Sequence, residues 1–391
     1  MVYIKGYGSV NSAGEGVDSF WSSLTKGKDN SRPVNIKQWP DSVSKYLELN
    51  EIKQPKFCQF NDSEKFLTAF DTILDKLTKA YDEAIASCEK DVTSNKLGII
   101  FSSTKGYTED IIWSTDLGKK STQNTYTRIL DAFCAKKGLL PIRKLCISNA
   151  CTSSHAAIYT ANKWINNNIA DHVIIIAADI IGPFIYSGFT SLRSLCSTKT
   201  KPFDRDRDGL QLGDGAAALI LSKERPEDKK CLYIAGIELD SEGFAITKPS
   251  IDGNSLLKTC ERVLASTNKV PSIVIAHGTG TITNDIIEDT VVSSLFNGNS
   301  SKPFVTGTKW CIGHTLGASG CMDLIAACSI LSKQLCFSIA NTDNIDPIMK
   351  ANYLVGNELI EPEQHISNIL VNSLGFGGYH ASMMVCIGDQ F

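Results

Sequence analysis

A layered α/β fold is predicted for this 391-residue chain by three observations. Short runs rich in Ile, Val and Leu recur along it, too uniformly apolar for strands with one wet face. Segments of helical spacing separate them, the alternation expected of strands and helices stacked in layers. A passage from strand to reactive side chain to helix occurs twice, from Leu145 to Cys151 and from Ile273 to Thr279, which hints at duplication.

Taken in order, Met1 to Gly8 reads as an opening or edge strand. The buried-strand runs are Leu97 to Phe101, Val173 to Ala178, Ala216 to Leu221, Ile273 to Ala276, Phe304 to Thr306 and Ile369 to Val371. Helices are expected over Phe66 to Cys88, Ala156 to Asn168, Ser255 to Ala265, Asp285 to Phe296 and Cys321 to Lys333. The polar, proline-bearing stretch Glu224 to Lys230 is the natural seam, dividing the chain into 1–228 and 229–391.

Composition narrows the function classes. A net charge of −3 and the lack of any basic tract interleaved with aromatics argue against nucleic-acid binding. The apolar runs end short of a membrane span and the N-terminus lacks a signal-peptide pattern, so a cytoplasmic protein is expected. The thirteen scattered cysteines form no Cys-x-x-Cys pair and fit reduced thiols better than a disulfide framework.

Cys151 lies where the run through Ile147 breaks and a helix-like segment begins, so the free N–H groups of a first helical turn favour its thiolate. A free cysteine is more often a small buried hydrophobe. Two of the six histidines share its punctuation: His277 in His277-Gly278-Thr279-Gly280-Thr281, and His314 in Gly313-His314-Thr315-Leu316-Gly317. Each taken alone reads first as a structural histidine. Taken together, the three have a coherent use, a thiolate to hold an acyl group and two imidazoles to donate hydrogen bonds to a developing enolate. No Gly-x-Ser-x-Gly elbow and no His-Glu-x-x-His pair supports a serine hydrolase or a metal site. The loop Asn372-Ser373-Leu374-Gly375-Phe376-Gly377-Gly378 suits a swinging phenyl ring or backbone donors to an oxyanion, or an ordinary glycine turn. Pro202 to Gly209 alternates charges as a solvated loop does, with Asp204 and Arg207 as candidates to brace a site.

With these residues assembled, the chain resembles the β-ketoacyl-acyl carrier protein synthases of the thiolase fold, of the elongating Cys-His-His type. The motifs run nearly end to end: Ile4 to Val10 with Phe20-Trp21, Ala150-Cys151, Pro202 to Gly215, His277 to Thr281, Lys309 to Gly320 and Asn372 to Gly378. The resemblance implies two similar halves in an α-β-α-β-α sandwich. It implies that Cys151 accepts the acyl chain, that His277 and His314 stabilise the enolate left by decarboxylation of a malonyl thioester, and that Lys309 supports His314. It places Glu288, with Asp285 one turn earlier, in the same network as Lys309. Phe376 is implied as the gate and, with the Cys151 N–H, as the oxyanion hole, and Thr279, Thr281, Gly375 and Gly377 as substrate-binding residues. No cofactor or metal is implied.

Ile282, Leu374 and Tyr379-His380 depart from the family's common proline, phenylalanine and Thr-Asn. The lead-in Ser148 to Cys151 and the stretch Ser187-Gly188-Phe189 resemble condensing enzymes of aryl polyene and flexirubin-type pathways. Two other readings stand beside this one, a non-catalytic chain-length-factor-like subunit and a thiolase-type acyl-CoA condensing enzyme; Cys151 with both histidines disfavours the first and the C-terminal loop, which lacks a second cysteine, the second. The expected partners are acyl carrier protein, docked through Lys119-Lys120 and Arg143-Lys144, and a second subunit, identical or chain-length-factor-like, paired through Val173 to Ala178. The acyl pocket is expected to involve Tyr107, Ile111, Ile112 and Phe189.

Overall fold

In the computed structural model of the chain, the described residues are all but 35–38, 40–44, 46, 48–54, 61–67, 89–95, 113–123, 228–230, 248, 299–301, 358, 362–363 and 389–391. The apolar runs are strands: β1 (Val2–Asn11), β2 (Leu97–Ser102), β3 (Arg143–Ile147), β4 (His172–Asp179), β5 (Gly215–Ser222), β6 (Cys231–Ser241), β7 (Ile273–Ile275), β8 (Phe304–Thr306), β9 (Asn368–Gly375) and β10 (Tyr379–Gly388). The helices that matter here are α1 (Val17–Thr25), α2 (Ala69–Ala86), α3 (Thr125–Lys137), α4 (Ser153–Asn166), α5 (Pro183–Ser191), α6 (Asn254–Thr267), α7 (Ile282–Leu295) and α8 (Ser319–Lys333).

Strand order shows why the sequence looks duplicated. The first five strands lie in the order β3-β2-β4-β5-β1 and the next five in the order β8-β7-β9-β10-β6. Both sets are third-second-fourth-fifth-first in chain order, with parallel pairing among the first three and antiparallel pairing thereafter. The opening strand β1 is the outer strand of its set, and its residues Val2 and Tyr3 pair with Ile234 and Tyr233 of β6, joining the two. By this equivalence the turn carrying Cys151, after the third strand, corresponds to the segment carrying His314. The expected partner of that turn, the His277 passage, follows a second strand instead.

Helices α4 and α8 pack against each other and touch strands of both sets, forming the middle of five layers. Helix α2 covers the outer face of β1, β4 and β5, and α6 covers β6 and β10. β4 and β5 are buried along their whole length, as their unbroken apolar sequences require. The span Leu316–Lys333 has the length and hydropathy of a membrane helix, yet 89% of it is buried inside the fold. It is the central core helix of the second half.

Close approach of the two middle helices depends on a glycine. A Cβ at Gly320 would lie 2.4 Å from His155 Nδ1 of α4, a fully buried imidazole. Gly320→Ala is therefore expected to destabilise the fold by roughly 1–3 kcal/mol through overpacking, measured as a lower midpoint in thermal unfolding; an unchanged midpoint would refute tight packing there.

Candidate active site

Cys151 is delivered by the tight turn between β3 and α4. Ala150 adopts the left-handed region with φ 47°, Asn149 N donates to Ser153 Oγ at 2.7 Å, and Thr152 Oγ1 donates to Asn149 O at 2.8 Å. The cysteine thus sits just before the first turn of α4, buried at 7% exposure. Burial pushes its thiol up to about 11, opposed by the Phe376 N–H on the sulfur and by Lys309. The sequence expectation of a favoured thiolate is corrected accordingly: at this buried position dehydration outweighs the donors around the sulfur.

His277 follows β7, and its loop is held by carboxylates of α7. Glu288 accepts hydrogen bonds from His277 N and Gly278 N, each at 2.7 Å, and from Asn284 Nδ2 at 2.9 Å. Asp285 accepts from Gly280 N at 3.2 Å and from Phe203 N at 2.7 Å. Burial raises both acids, Glu288 to about 7 and Asp285 to about 6, against these hydrogen bonds.

His314 follows the short helix Lys309–Ile312 and is stitched to the first half. His314 N donates to Gln211 O at 2.6 Å, and Gly213 N donates to His314 O at 3.0 Å. Gly313, at φ 71°, passes so close that a Cβ would lie 2.3 Å from Leu212 O. Only glycine serves both demands.

The two imidazole rings meet edge to face, with centroids 5.0 Å apart and planes at 90°. Burial drives both well below the ordinary histidine range, and the Lys309 ammonium pushes in the same direction. Both rings are therefore neutral near pH 7. His277 Nδ1 and both His314 nitrogens are buried without a hydrogen-bond partner among the described residues. Lys309 itself is neutralised by Asp323 of α8, Nζ to Oδ2 at 3.0 Å, with both side chains buried.

Cys151, His277 and His314 line one cavity of about 360 Å³, together with Thr279, Thr281, Gly375 and Phe376. The Thr279 and Thr281 hydroxyls are 3.0 Å apart. The Phe376 ring stacks on Phe189 of α5 at 5.6 Å and 21°. Cys151 is the one cysteine among the described residues lining this cavity.

Several sequence expectations are corrected. Glu288 and Asp285 hold the His277 loop rather than joining Lys309, whose counter-charge is Asp323; an acid about one turn into a largely apolar buried helix was the available signal. Gly377 does not line the cavity, because at φ 87° it turns away and donates its N–H to Ile246 O at 2.6 Å. Tyr107 packs against Phe70 at 5.3 Å, outside the cavity lining, whereas Phe189 lines it; the side chains of Ile111 and Ile112 lie outside the described residues. Val173 to Ala178 is hydrogen-bonded on both edges, by β2 and β5, and has no free edge for a second subunit. Lys119 and Lys120 also lie outside the described residues, while Lys144 is exposed and paired with Asp131. The loop Pro202 to Gly209 is only partly solvated, since Phe203, Asp204 and Arg207 are buried.

Comparison with known proteins agrees with this geometry. Residues 143–227 match the model of the β-ketoacyl synthase N-terminal domain and residues 232–343 that of the C-terminal domain. The chain belongs to the β-ketoacyl synthase family. It is 24% identical to the 3-oxoacyl-[acyl-carrier-protein] synthase 2 of Synechocystis sp., over 98% of this chain and 97% of that one. It is 30% identical to the chloroplastic 3-oxoacyl-[acyl-carrier-protein] synthase II of Arabidopsis thaliana, over 61% of this chain and 46% of that one. Among solved structures, it superposes on a type II polyketide acyl-carrier protein complex with its ketosynthase at TM-score 0.82, 21% identity and 98% coverage of both chains. It also superposes on a ketosynthase in complex with its chain length factor from Xenorhabdus doucetiae at TM-score 0.77 and 21% identity, covering 99% of this chain and 98% of that one. These show the thiolase-like fold, and the family assignment makes this β-ketoacyl synthase an acyltransferase-type enzyme.

The histidine environment gives a signed expectation. Both histidines are lowered by folding, so their contribution to stability is present above their ordinary value of 6.5 and is lost as pH falls toward the folded values. Replacing Lys309 by Met removes the cation that, after burial, lowers both rings. The acid limb of the synthase's pH–rate profile is then expected to move up toward 6.5, and an unmoved limb would rule out the electrostatic role of Lys309.

Proposed function

We propose that this synthase catalyses decarboxylative Claisen condensation between an acyl group on Cys151 and malonyl-acyl carrier protein. The observation that carries the reading is the convergence of a buried thiol and two neutral, perpendicular imidazoles, drawn from both halves, on one cavity. The Cys151 sulfur attacks the acyl thioester carbonyl, a new carbon–sulfur bond forms, and the carrier thiol leaves with the proton. In the second stage the malonyl carbon–carboxylate bond breaks, carbon dioxide departs, and the electron pair remains as an enolate. Hydrogen bonds from the N–H groups of neutral His277 and His314 stabilise its oxygen, without an added metal or cofactor. The enolate carbon then attacks the Cys151 thioester. The N–H groups of Cys151 and Phe376 donate hydrogen bonds to the resulting oxyanion, whose collapse expels the Cys151 thiolate and releases the 3-oxoacyl thioester.

Thr279 and Thr281 bind the thioester arm beside His277, Gly375 lets the Phe376 turn approach Cys151, and Phe376 gates the cavity by leaving its stack on Phe189. A Cβ at Gly375 would lie 3.3 Å from Thr152 Cγ2 and 3.4 Å from Cys151 N, close against the turn that carries the thiol. The equal strand orders and the two matched segments support a division into halves 1–228 and 229–391, the boundary itself falling outside the described residues. Acyl carrier protein is the substrate carrier and docks near exposed Arg143. A second copy, or a chain-length-factor-like subunit, pairs along the free outer edge of β3, where Leu140, Ile142 and Leu145 are exposed. The condensation serves fatty-acid or polyketide biosynthesis, the latter of the aryl polyene kind that the Ser148 to Cys151 lead-in resembles.

Intact mass spectrometry after incubation with a panel of acyl-carrier thioesters is expected to show one acyl adduct, on Cys151. Cys151→Ala should lose the adduct and condensation, while His277→Ala and His314→Ala should retain the adduct and lose roughly 100-fold or more of decarboxylation. Adducts elsewhere, or full decarboxylation in either histidine variant, would defeat the assignment. Leu145→Glu is expected to convert a dimer to a monomer in light scattering, and a monomeric wild type would remove the β3 pairing.

A further inference from the structure

The buried cation of the Pro202–Gly209 loop has no part in the chemistry above, yet it is wired to the His277 loop. Arg207 has a side chain only 2% exposed. Its NH1 donates to Asp204 O at 2.7 Å and to Asp346 Oδ2 at 2.7 Å, and its Nε lies 3.7 Å from Asp285 Oδ2. Asp285 is the carboxylate that receives Gly280 N from one loop and Phe203 N from the other. Phe203 is held at φ 63°, a region costly for a bulky side chain, and its ring packs on Tyr353 at 4.4 Å.

The two loops also meet directly. Gly209 N donates to Gly280 O at 3.1 Å, and Gly280, at φ 74°, comes so near that a Cβ would lie 2.9 Å from Gly209 O. Beyond this seam the same loops become walls of the cavity, with Asp208 and Gly209 on one and Thr279 and Thr281 on the other. The seam is therefore a joint between the charged loop and the strip that carries His277.

Resting on the function proposed above, we infer that Arg207 is a positioning residue: through Asp285 it fixes the Gly280–Gly209 seam, and so the placement of His277, Thr279 and Thr281 against the malonyl thioester. Cys151 hangs from another element, the β3–α4 turn, and has no contact in this joint. Loss of Arg207 thus acts on one half-reaction and spares the other. A residue needed only for general stability would affect both alike.

The test measures the two half-reactions separately on the full chain: acylation of Cys151 by an acyl-carrier thioester, and decarboxylation of malonyl-acyl carrier protein. Arg207→Met is expected to slow decarboxylation roughly 10- to 100-fold, the scale of a small misplacement of reacting groups, with Cys151 acylation changed less than about 2-fold; Arg207→Lys, keeping the charge, should recover most of the loss. Asp346→Asn frees the outer end of Arg207 without burying an unpaired charge, and it should produce the same asymmetry more weakly. If Arg207→Met does not fold, the Asp346→Asn result decides. Equal losses in both half-reactions, or none, overturn the positioning role. Failure of the wild-type chain to carry out either half-reaction would instead strike the function on which the inference rests.

Discussion

Gly317 is the point on which the two halves of the molecule are riveted. Its N–H donates to Asp179 Oδ2 at the end of β4 at 2.8 Å, and its carbonyl accepts from Ser102 Oγ at 3.0 Å and from Ser154 Oγ. A Cβ there would lie 2.7 Å from the same carboxylate oxygen. Three donors and acceptors of the first half thus close on one residue of the second, three positions beyond His314. A site divided between two halves depends on such a rivet, since a shift of about 1 Å between them would misplace the thiol relative to the imidazoles.

The rest of the site follows from this placement. Because the halves share one strand order, their middle helices α4 and α8 lie against each other, and the turn preceding each opens into the same space. One turn presents Cys151 and the other His314. The second-strand loop of the C-terminal half adds His277, and the β9–β10 turn adds Phe376. Burial then sets the protonation states: it raises the thiol and lowers the imidazoles, while Lys309, held by Asp323, reinforces the lowering. The resting site is consequently an uncharged thiol facing two neutral donors, with the Lys309 ammonium paired to Asp323 behind them.

Much of this was legible in the sequence, for physical reasons that can be named. Strands buried on both faces must be apolar throughout, so β2, β4, β5, β7, β8 and much of β9 stood out as runs, and glycine-flanked histidines after such runs marked the loops that approach a ligand. The charge partners were harder to read. Glu288 is near His277 in sequence and was associated with Lys309, but its carboxylate is consumed by the backbone N–H groups of its own loop. Asp323 is fourteen residues from Lys309, inside a helix whose apolar composition conceals a single buried acid. Edge pairing was misplaced for a related reason: Val173 to Ala178 is the most strand-like run in the chain because it is central, and a central strand has no edge to offer. The Phe189–Phe376 stack and the Arg207 joint join residues more than seventy positions apart, which no local pattern encodes.

The central claim is that both imidazoles serve one oxygen. A crystal structure of the Cys151 acyl-enzyme with a non-hydrolysable malonyl-thioester analogue tests it most directly. The account predicts the thioester oxygen within hydrogen-bond distance, about 2.7–3.1 Å, of a ring nitrogen of His277 and of His314. An analogue bound productively beside Cys151 with that oxygen on only one ring, or on neither, would contradict it.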